Sequence, residues 1–461
     1  MWTQRDQIQA YQFLRRRLIS ALVAGDANHP TSPGRRLVLG TILGIAAAVL
    51  TAAAFGVIGL LAPSGSADWR QGGQVIVEKE TGARYVLGQD GLLHPVLNYA
   101  SARLLAGGNA DQTVTVSSGS LRAAARGAML GIPGAPDSLP APNALSATTF
   151  TSCTRIPPDL PAAARPVATV VLGPSAPAGR ALPSGAAVLV SPGDGSEFLV
   201  TGGLRYRMAG QAPVAALGYE NVPAVPVAPS WLDTVPVGRD LDLVAVPGAG
   251  SPGPAIDGRR TLVGQVLGDG AFYLVRAHGV TPIGATEARL VLGDSANAAA
   301  YPDDRPSVLT MSVAALDAAP RAGTAAPGYP STLPRPLATA PNTAVCAVAD
   351  GSGAVRITTS DRLPGRLTPV GTETDARVAD EVSVPPGTGA LVREQVGAGG
   401  APGALYLVTD SGRKYPVPGD AAAAALGYAG VRPATVSGTE LALLPTGPSL
   451  DPVAARQVVT G

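Results

Sequence analysis

The side chains able to make or break bonds are few in this chain and poorly spaced for acting together. Lysine stands only at Lys79 and Lys414, preceded by Glu78 and Arg413, so the Gly-Lys-Ser/Thr end of a phosphate-binding loop is absent. No Gly-x-Ser-x-Gly elbow occurs. His29, His94 and His278 are the only histidines, and their spacing builds neither a His-Glu-x-x-His helix nor a local triad. A Gly-x-Gly-x-x-Gly match at Gly248, Gly250 and Gly253 contains Pro252 and runs on without an amphipathic helix, which reads as a loop. The acidic pairs Asp240 with Asp242 and Asp303 with Asp304 sit in turn-like surroundings, where capping is the ordinary role. Cys153 and Cys346 have no histidine nearby, and two ligands make no zinc shell. These residues point to no catalytic, cofactor-binding or metal site. Only convergence of distant groups in space could supply one.

The elements around them are more informative. Leu37 to Leu61 runs 25 residues without a charge, and the uncharged stretch continues to Ala67. At about 1.5 Å per residue such a helix is roughly 37 Å long, enough to cross a hydrocarbon core of about 30 Å. Arg35 and Arg36 abut its start and Arg15, Arg16 and Arg17 lie upstream, whereas the far side begins with Asp68 and Arg70. That arginine excess places residues 1–36 in the cytosol and the bulk of the chain outside. A soluble core helix of this length would carry charge on its solvent face. A cleaved signal peptide, suggested by Gly65 and Ala67, would have a shorter apolar run and a shorter leading segment. Outside the cytosol, the two cysteines most simply form one disulfide, the alternative being two unrelated buried thiols. Such a bridge, closing a loop of about 190 residues, would stabilise by up to about 5 kcal/mol in the chain-entropy picture.

The cytosolic segment reads as an amphipathic helix. Thr3 and Asp6 form a capping pair, Gly25 can end the helix, and Ile8, Tyr11, Leu14, Leu18 and Leu22 recur at three and four residues. The expectation is one apolar face, with Arg15, Arg16 and Arg17 opposite. Such a face suits docking on a cytosolic partner or lying on an anionic inner leaflet.

Net charge is +1 with acidic and basic groups interspersed, so no footprint for nucleic acid exists. With 57 glycines, 44 prolines and 4 % aromatics, the outer region favours short strands and turns. One pattern recurs from Tyr85, Phe198, Tyr273 and Tyr406: an apolar run, a turn with glycine at positive φ, then a second short strand. Leu217 to Asp242 aligns without a gap to Leu426 to Asp451, and the segments from Ala100 and Thr286 suggest a matching short helix. Two Pro-rich stretches, from Gly131 and Pro320, read as extended surface connections. Each precedes an apolar run, at Val167 and Ala344, and these two runs are expected to pair beside the disulfide. The predicted class is α+β: a cytosolic amphipathic helix and linker (1–36), one transmembrane helix (37–61), and four β-rich repeat units at 68–115, 183–245, 255–300 and 381–461. The units surround a central β domain contributed by 116–182 and 301–380.

The N-terminal run Arg5 to Asp26, the single span, Val384 to Glu394, the Leu-Gly-Tyr segments at Leu217 and Leu426, and two widely spaced cysteines resemble the EccB family of actinobacterial type VII (ESX) secretion systems. The resemblance implies a core subunit of an inner-membrane complex, assembled with other membrane components that include an FtsK/SpoIIIE-type ATPase, and self-association. It also implies an elongated outer domain of four repeats around a centre with one disulfide. Family members are sometimes labelled ATPases, which makes ATP a cofactor by label only. The expectation is therefore a scaffold, with an extracytoplasmic ATP hydrolase or a cell-wall-binding module as alternatives.

Overall fold

The structure is a computed structural model that describes residues 3–25, 33–61, 69–107, 113–145, 149–161, 163–340, 342–349, 351, 353–363, 367–370, 377–396 and 403–459. The chain forms two compact units: 1–69 with 115–123, and 70–114 with 124–461. The first contains helix α1 (Gln4–Ala24) and helix α2 (Pro33–Leu61). Local chemistry sets the ends of α1. The Thr3 backbone N–H and hydroxyl donate to Asp6 Oδ2 at 3.1 and 2.6 Å, and Gly25, at φ 68°, turns its N–H back onto the Ala21 carbonyl. In α2, Val38–Val57 has a mean hydropathy of 2.2 and none of it is buried within the chain, so this helix is long and apolar enough to cross a bilayer. The Thr51 hydroxyl donates to the Ala47 carbonyl at 2.7 Å, which satisfies it without water.

All four hairpins form, and each belongs to a larger unit of one topology. Three strands make an antiparallel meander, a helix follows, and a fourth strand joins the free edge of the first, giving the spatial order 3-2-1-4. The strands are Val75–Glu78, Arg84–Leu87, Leu93–Pro95 and Thr113–Val116 in the first unit, and Ala186–Ser191, Glu197–Thr201, Leu204–Met208 and Val225–Pro226 in the second. The third has Val266–Gly268, Phe272–Arg276, Gly279–Ile283 and Leu309–Thr310; the fourth has Gly389–Gln395, Leu405–Thr409, Lys414–Val417 and Ala434–Ser437. Helices α3 (Tyr99–Ala106) and α4 (Ser118–Leu121), α5 (Gln211–Ala216) and α6 (Pro229–Leu232), α7 (Ala285–Leu292) and α8 (Val313–Ala318), and α9 (Asp420–Ala425) and α10 (Gly438–Ala442) flank the fourth strands in turn. Each unit closes with a parallel bridge onto its third strand, Leu93 to Arg126, Arg205 to Val237, Val280 to Arg321 and Lys414 to Thr446, and the second adds Met208 to Leu241. The first and third units therefore run past residues 115 and 300, into stretches the sequence reading gave to the central domain. Their last strands and helices are too short to show a periodicity.

The closing bridge has a packing rule. In three units an aromatic ring on the third strand lies on a glycine of the closing segment. A Cβ on Gly127, Gly238 or Gly447 would come within 2.3, 2.6 and 2.3 Å of His94, Tyr206 and Tyr415 respectively. The third unit exchanges both partners: Thr281 takes the ring's place and donates its hydroxyl to the carbonyl of Ala322. The third hairpin also corrects an expectation about its turn. Gly279 is not at positive φ; it begins the strand, where a Cβ would meet the Pro320 carbonyl at 2.3 Å.

A seven-stranded sheet occupies the centre, in the order Thr368–Pro369, Glu381–Ser383, Val167–Gly173, Thr149–Arg155, Ala344–Ala349, Val355–Ser360, Arg180–Ala181. The runs at Val167 and Ala344 share this sheet but do not pair, because Thr149–Arg155 lies between them. That strand is polar enough to pass for a loop in sequence. Two of its buried hydroxyls are used, while that of Thr151 is not: Ser152 bonds Thr234 Oγ1 at 2.7 Å, and Thr154 Oγ1 accepts the Ala228 N–H at 2.9 Å. One face of the sheet forms a continuous core with the second and fourth units, through Val190 and Trp231 on one side and Val392 and Leu444 on the other.

Candidate interaction surfaces

Helix α1 exposes its apolar side chains. Ile8, Tyr11, Leu14, Leu18 and Leu22 are between 57 and 78 % exposed. At roughly 100° per residue these five fall within about 120° of the helix circumference. Three consecutive arginines cannot share the opposite face, because they span about 200°. Arg15 falls inside the apolar arc, between Leu22 and Ile8, while Arg16 and Arg17 lie across the helix, about 140° and about 120° from the centre of the arc. There Arg17 sits over the Phe13 ring, 5.7 Å from its centroid. The expected division into an apolar and an arginine face is thus broken at Arg15.

Cys153 and Cys346 are direct cross-strand partners, joined by a disulfide and at most 1 % exposed. The bond fastens Thr149–Arg155, from the first half of the chain, to Ala344–Ala349 in its last third. Its burial leaves it a structural tie with no access for a thiol reagent.

The Pro-rich stretches are clamps rather than surface connections. The one from Gly131 lies between the first and fourth units. Asn98 Nδ2 donates to the Ile132 carbonyl at 2.8 Å, the Ile132 N–H donates to Ser101 Oγ at 2.9 Å, and the Tyr428 hydroxyl donates to the Pro140 carbonyl at 2.9 Å. Ile132 and Ala135 are buried in a core built from α3, α9 and the fourth-unit sheet. The stretch from Pro320 does the same for the second and third units. The Tyr219 hydroxyl donates to the Pro334 carbonyl at 2.6 Å and Thr286 Oγ1 to the Thr332 carbonyl at 2.9 Å, while Arg335–Pro336 extends the second sheet. Tyr219 and Tyr428 are equivalent in the gapless alignment. Burial pushes the Tyr219 phenol up to about 12 and raises that of Tyr428 as well, so both remain donors. Between the units, α3 packs on α9 and α5 on α7, and Arg103 Nη2 reaches the Leu426 carbonyl at 3.2 Å. The repeats therefore associate as first with fourth and second with third. Only the aligned tyrosines hinted at this in the sequence.

The scattered reactive side chains stay apart. His94 lies between Asp90 and the Ala128 carbonyl, His278 is exposed in the third hairpin turn, and His29 is outside the described residues. Lys414 is buried, its Nζ donating at 2.6 Å to both the Leu441 and Leu444 carbonyls. Arg205 holds the matching place in the second unit and donates to the Leu232 carbonyl at 2.8 Å. The glycine-rich match folds as a turn in which the Gly253 N–H bonds the Thr261 carbonyl. Asp303 and Asp304 are turn residues at φ 55° and 53°. Among the described residues no group of three or more His, Cys, Asp or Glu could hold a metal.

The sequence profile described as "Type VII secretion system ESX-1, transport TM domain B", that of EccB, matches residues 1–460. The chain is 28 % identical to "ESX-5 secretion system ATPase EccB5" of Mycobacterium tuberculosis (strain ATCC 25618 / H37Rv), over 97 % of this chain and 91 % of the relative. It is similar to a chain in the structure of an intact ESX-5 inner membrane complex, with TM-score 0.68, 26 % identity, and coverage of 100 % of this chain and 96 % of the other. The fold also matches the EccB3 dimer from the ESX-3 core complex, with TM-score 0.68 and 24 % identity over 84 % of this chain and all of the other.

Proposed function

The chain belongs to the EccB family, a structural core component of the type VII (ESX) secretion complex in the inner membrane, and we propose that it serves there as a scaffold holding a cytosolic partner through α1. The observation that carries this reading is the capped helix α1 ahead of the span, with five apolar side chains on one arc and more than half exposed. Exposed apolar surface of this kind needs a partner. Arg15 inside the arc suits a protein groove offering an acceptor at that point better than acyl chains. The FtsK/SpoIIIE-type ATPase of the complex is the expected occupant, with self-association in the outer region. The arginine excess before the span puts the N-terminus in the cytosol and the four repeats outside. The named relatives carry the word ATPase. Against that activity here, Lys414 is already engaged by two carbonyls, Lys79 lies outside any phosphate-binding loop, and ATP is scarce outside the cytosol.

The test is recovery of the tagged full chain from detergent-solubilised membranes. Deleting residues 1–26 is expected to reduce its recovery in a large assembly with the ATPase, while the chain remains in the membrane. Undiminished recovery would reject the docking role. Phosphate release from ATP by the purified full chain, lost on substituting one cavity residue, would replace the scaffold reading with a hydrolase.

A further inference from the structure

The ring that packs on the closing glycine is a tyrosine in the second and fourth units and a histidine in the first. Tyr206 lies on Gly238 and Tyr415 on Gly447, while His94 lies on Gly127. His94 and Tyr415 hold the same place in their hairpins, counted from Tyr85 and Tyr406. The backbone around the three rings is matched as well. The Gly127 N–H donates to the Leu93 carbonyl and the Leu130 N–H to that of Pro95, as Gly238 and Leu241 donate to Arg205 and Arg207, and Gly447 and Leu450 to Lys414 and Pro416. The first unit thus puts the one side chain that titrates near neutral pH into a joint that is otherwise repeated.

Both nitrogens of His94 face acceptors. Nδ1 is 2.8 Å from the Ala128 carbonyl on the closing segment, and Nε2 is 3.0 Å from Asp90 Oδ2 in the hairpin turn. A neutral imidazole has a single N–H, so either tautomer leaves a lone pair pointed at an oxygen. Only the doubly protonated ring donates both bonds. The ring has little room to turn away, because its side chain is 12 % exposed and a Cβ on Gly88 would come 2.9 Å from its Cδ2, opposite Gly127. Asp90 supplies the counter-charge. The Leu92 N–H and His94 hold its carboxyl below the usual range, so it stays ionised where an imidazole titrates. Neighbouring cations are engaged elsewhere. Arg126, next to Gly127, lies over the Tyr85 ring at 4.5 Å from its centroid, and Arg84, on the adjoining strand, pairs with Asp137 at 2.6 Å.

We propose that His94 is a proton-operated clasp that ties the closing segment of the first unit to its hairpin turn, complete when the ring carries both protons and half released when it carries one. The hold on residues 125–130 therefore weakens as pH rises through the range in which imidazoles titrate, between about pH 5 and about pH 8. The matching joints of the second and fourth units, built on tyrosine, do not respond.

Hydrogen exchange of the full-length protein in detergent tests this, read by mass spectrometry over 125–130, 236–241 and 445–450 at about pH 5.5 and about pH 8 and corrected for intrinsic exchange. Protection of the Gly127 and Leu130 amides should fall by at least about tenfold at the higher pH, the loss expected for one charge-assisted bond, while the matched amides of the other two segments change by less than about twofold. His94→Tyr installs the ring of the other units and should make 125–130 equally protected at both pH values. Asp90→Asn keeps an acceptor for the Leu92 N–H and offers an amide that can donate to a neutral ring, so it too should abolish the difference. No greater change in 125–130 than in the other two segments, or a difference that persists in either variant, would overturn the proposal. Should His94→Tyr fail to fold, wild type and Asp90→Asn decide it.

Discussion

Tyr428→Phe should loosen one clamp and leave the other closed. The substitution deletes a hydroxyl that donates to the Pro140 carbonyl at 2.9 Å and fills its space with nothing that can donate. A buried hydrogen bond contributes about 1 kcal/mol net, and stranding its acceptor costs about 1–3 kcal/mol. A loss of that size raises the population of the locally opened stretch by about fivefold to a hundredfold. The amides of Ala144 and Leu145, held by the carbonyls of Ala141 and Pro142, lie in that stretch and should exchange faster by the same factor. Hydrogen exchange of the full-length protein, read by mass spectrometry over peptides 136–145 and 327–337, measures this directly. Tyr219→Phe should give the converse pattern, with 327–337 opening and 136–145 unaffected, because Tyr219 bonds Pro334. Unchanged exchange in both variants, or both stretches opening together in either, would refute the division of the repeats into a first–fourth and a second–third pair.

Gly447→Ala and Gly238→Ala should each destabilise by about 1–3 kcal/mol through overpacking against Tyr415 and Tyr206, seen as a lower Tm, with partial recovery when Tyr415 is shortened to Leu in the Gly447→Ala background. Cys153→Ser should cost about 2–5 kcal/mol, and the double variant with Cys346→Ser little more than either alone, since both remove one bond; strictly additive losses would show a separate role for one thiol. Burial raises the pKa of Glu287 despite the nearby Arg276 and Arg239. A folded-state pKa above the unfolded one contributes stability that is present below the ordinary glutamate value and lost as pH rises through the raised value. Glu287→Gln should therefore compare better with wild type at pH 7.5 than at pH 4; the opposite trend in Tm would contradict the sign.

Local features were legible because their causes are local. The ends of α1 follow from Thr3, Asp6 and Gly25, each acting within four residues of itself. The span follows from an uninterrupted apolar run, and the hairpins follow from apolar segments around short turns. Tyr219 and Tyr428 could be matched as repeats before either had a partner. The strand carrying Cys153 escaped notice because threonine and serine hide a buried strand when their bonds go to residues some 80 positions away, as Ser152 does with Thr234. Likewise, the arginines of α1 were assigned to one face by composition, whereas the pitch of the helix spreads them around it.

The sequence alone determined the anchored α+β plan, the four repeated hairpins and the presence of one pair of cysteines. Tertiary structure decided that the first repeat pairs with the fourth and the second with the third. It also turned the Pro-rich stretches into clamps and inserted Thr149–Arg155 between the two apolar runs. Periodicity and capping act over a few residues and are written in order along the chain. Which sheet meets which, and which buried acceptor finds a donor, depend on contacts between distant segments, 323 residues apart for Arg103 and Leu426, and these exist only once the chain has closed on itself.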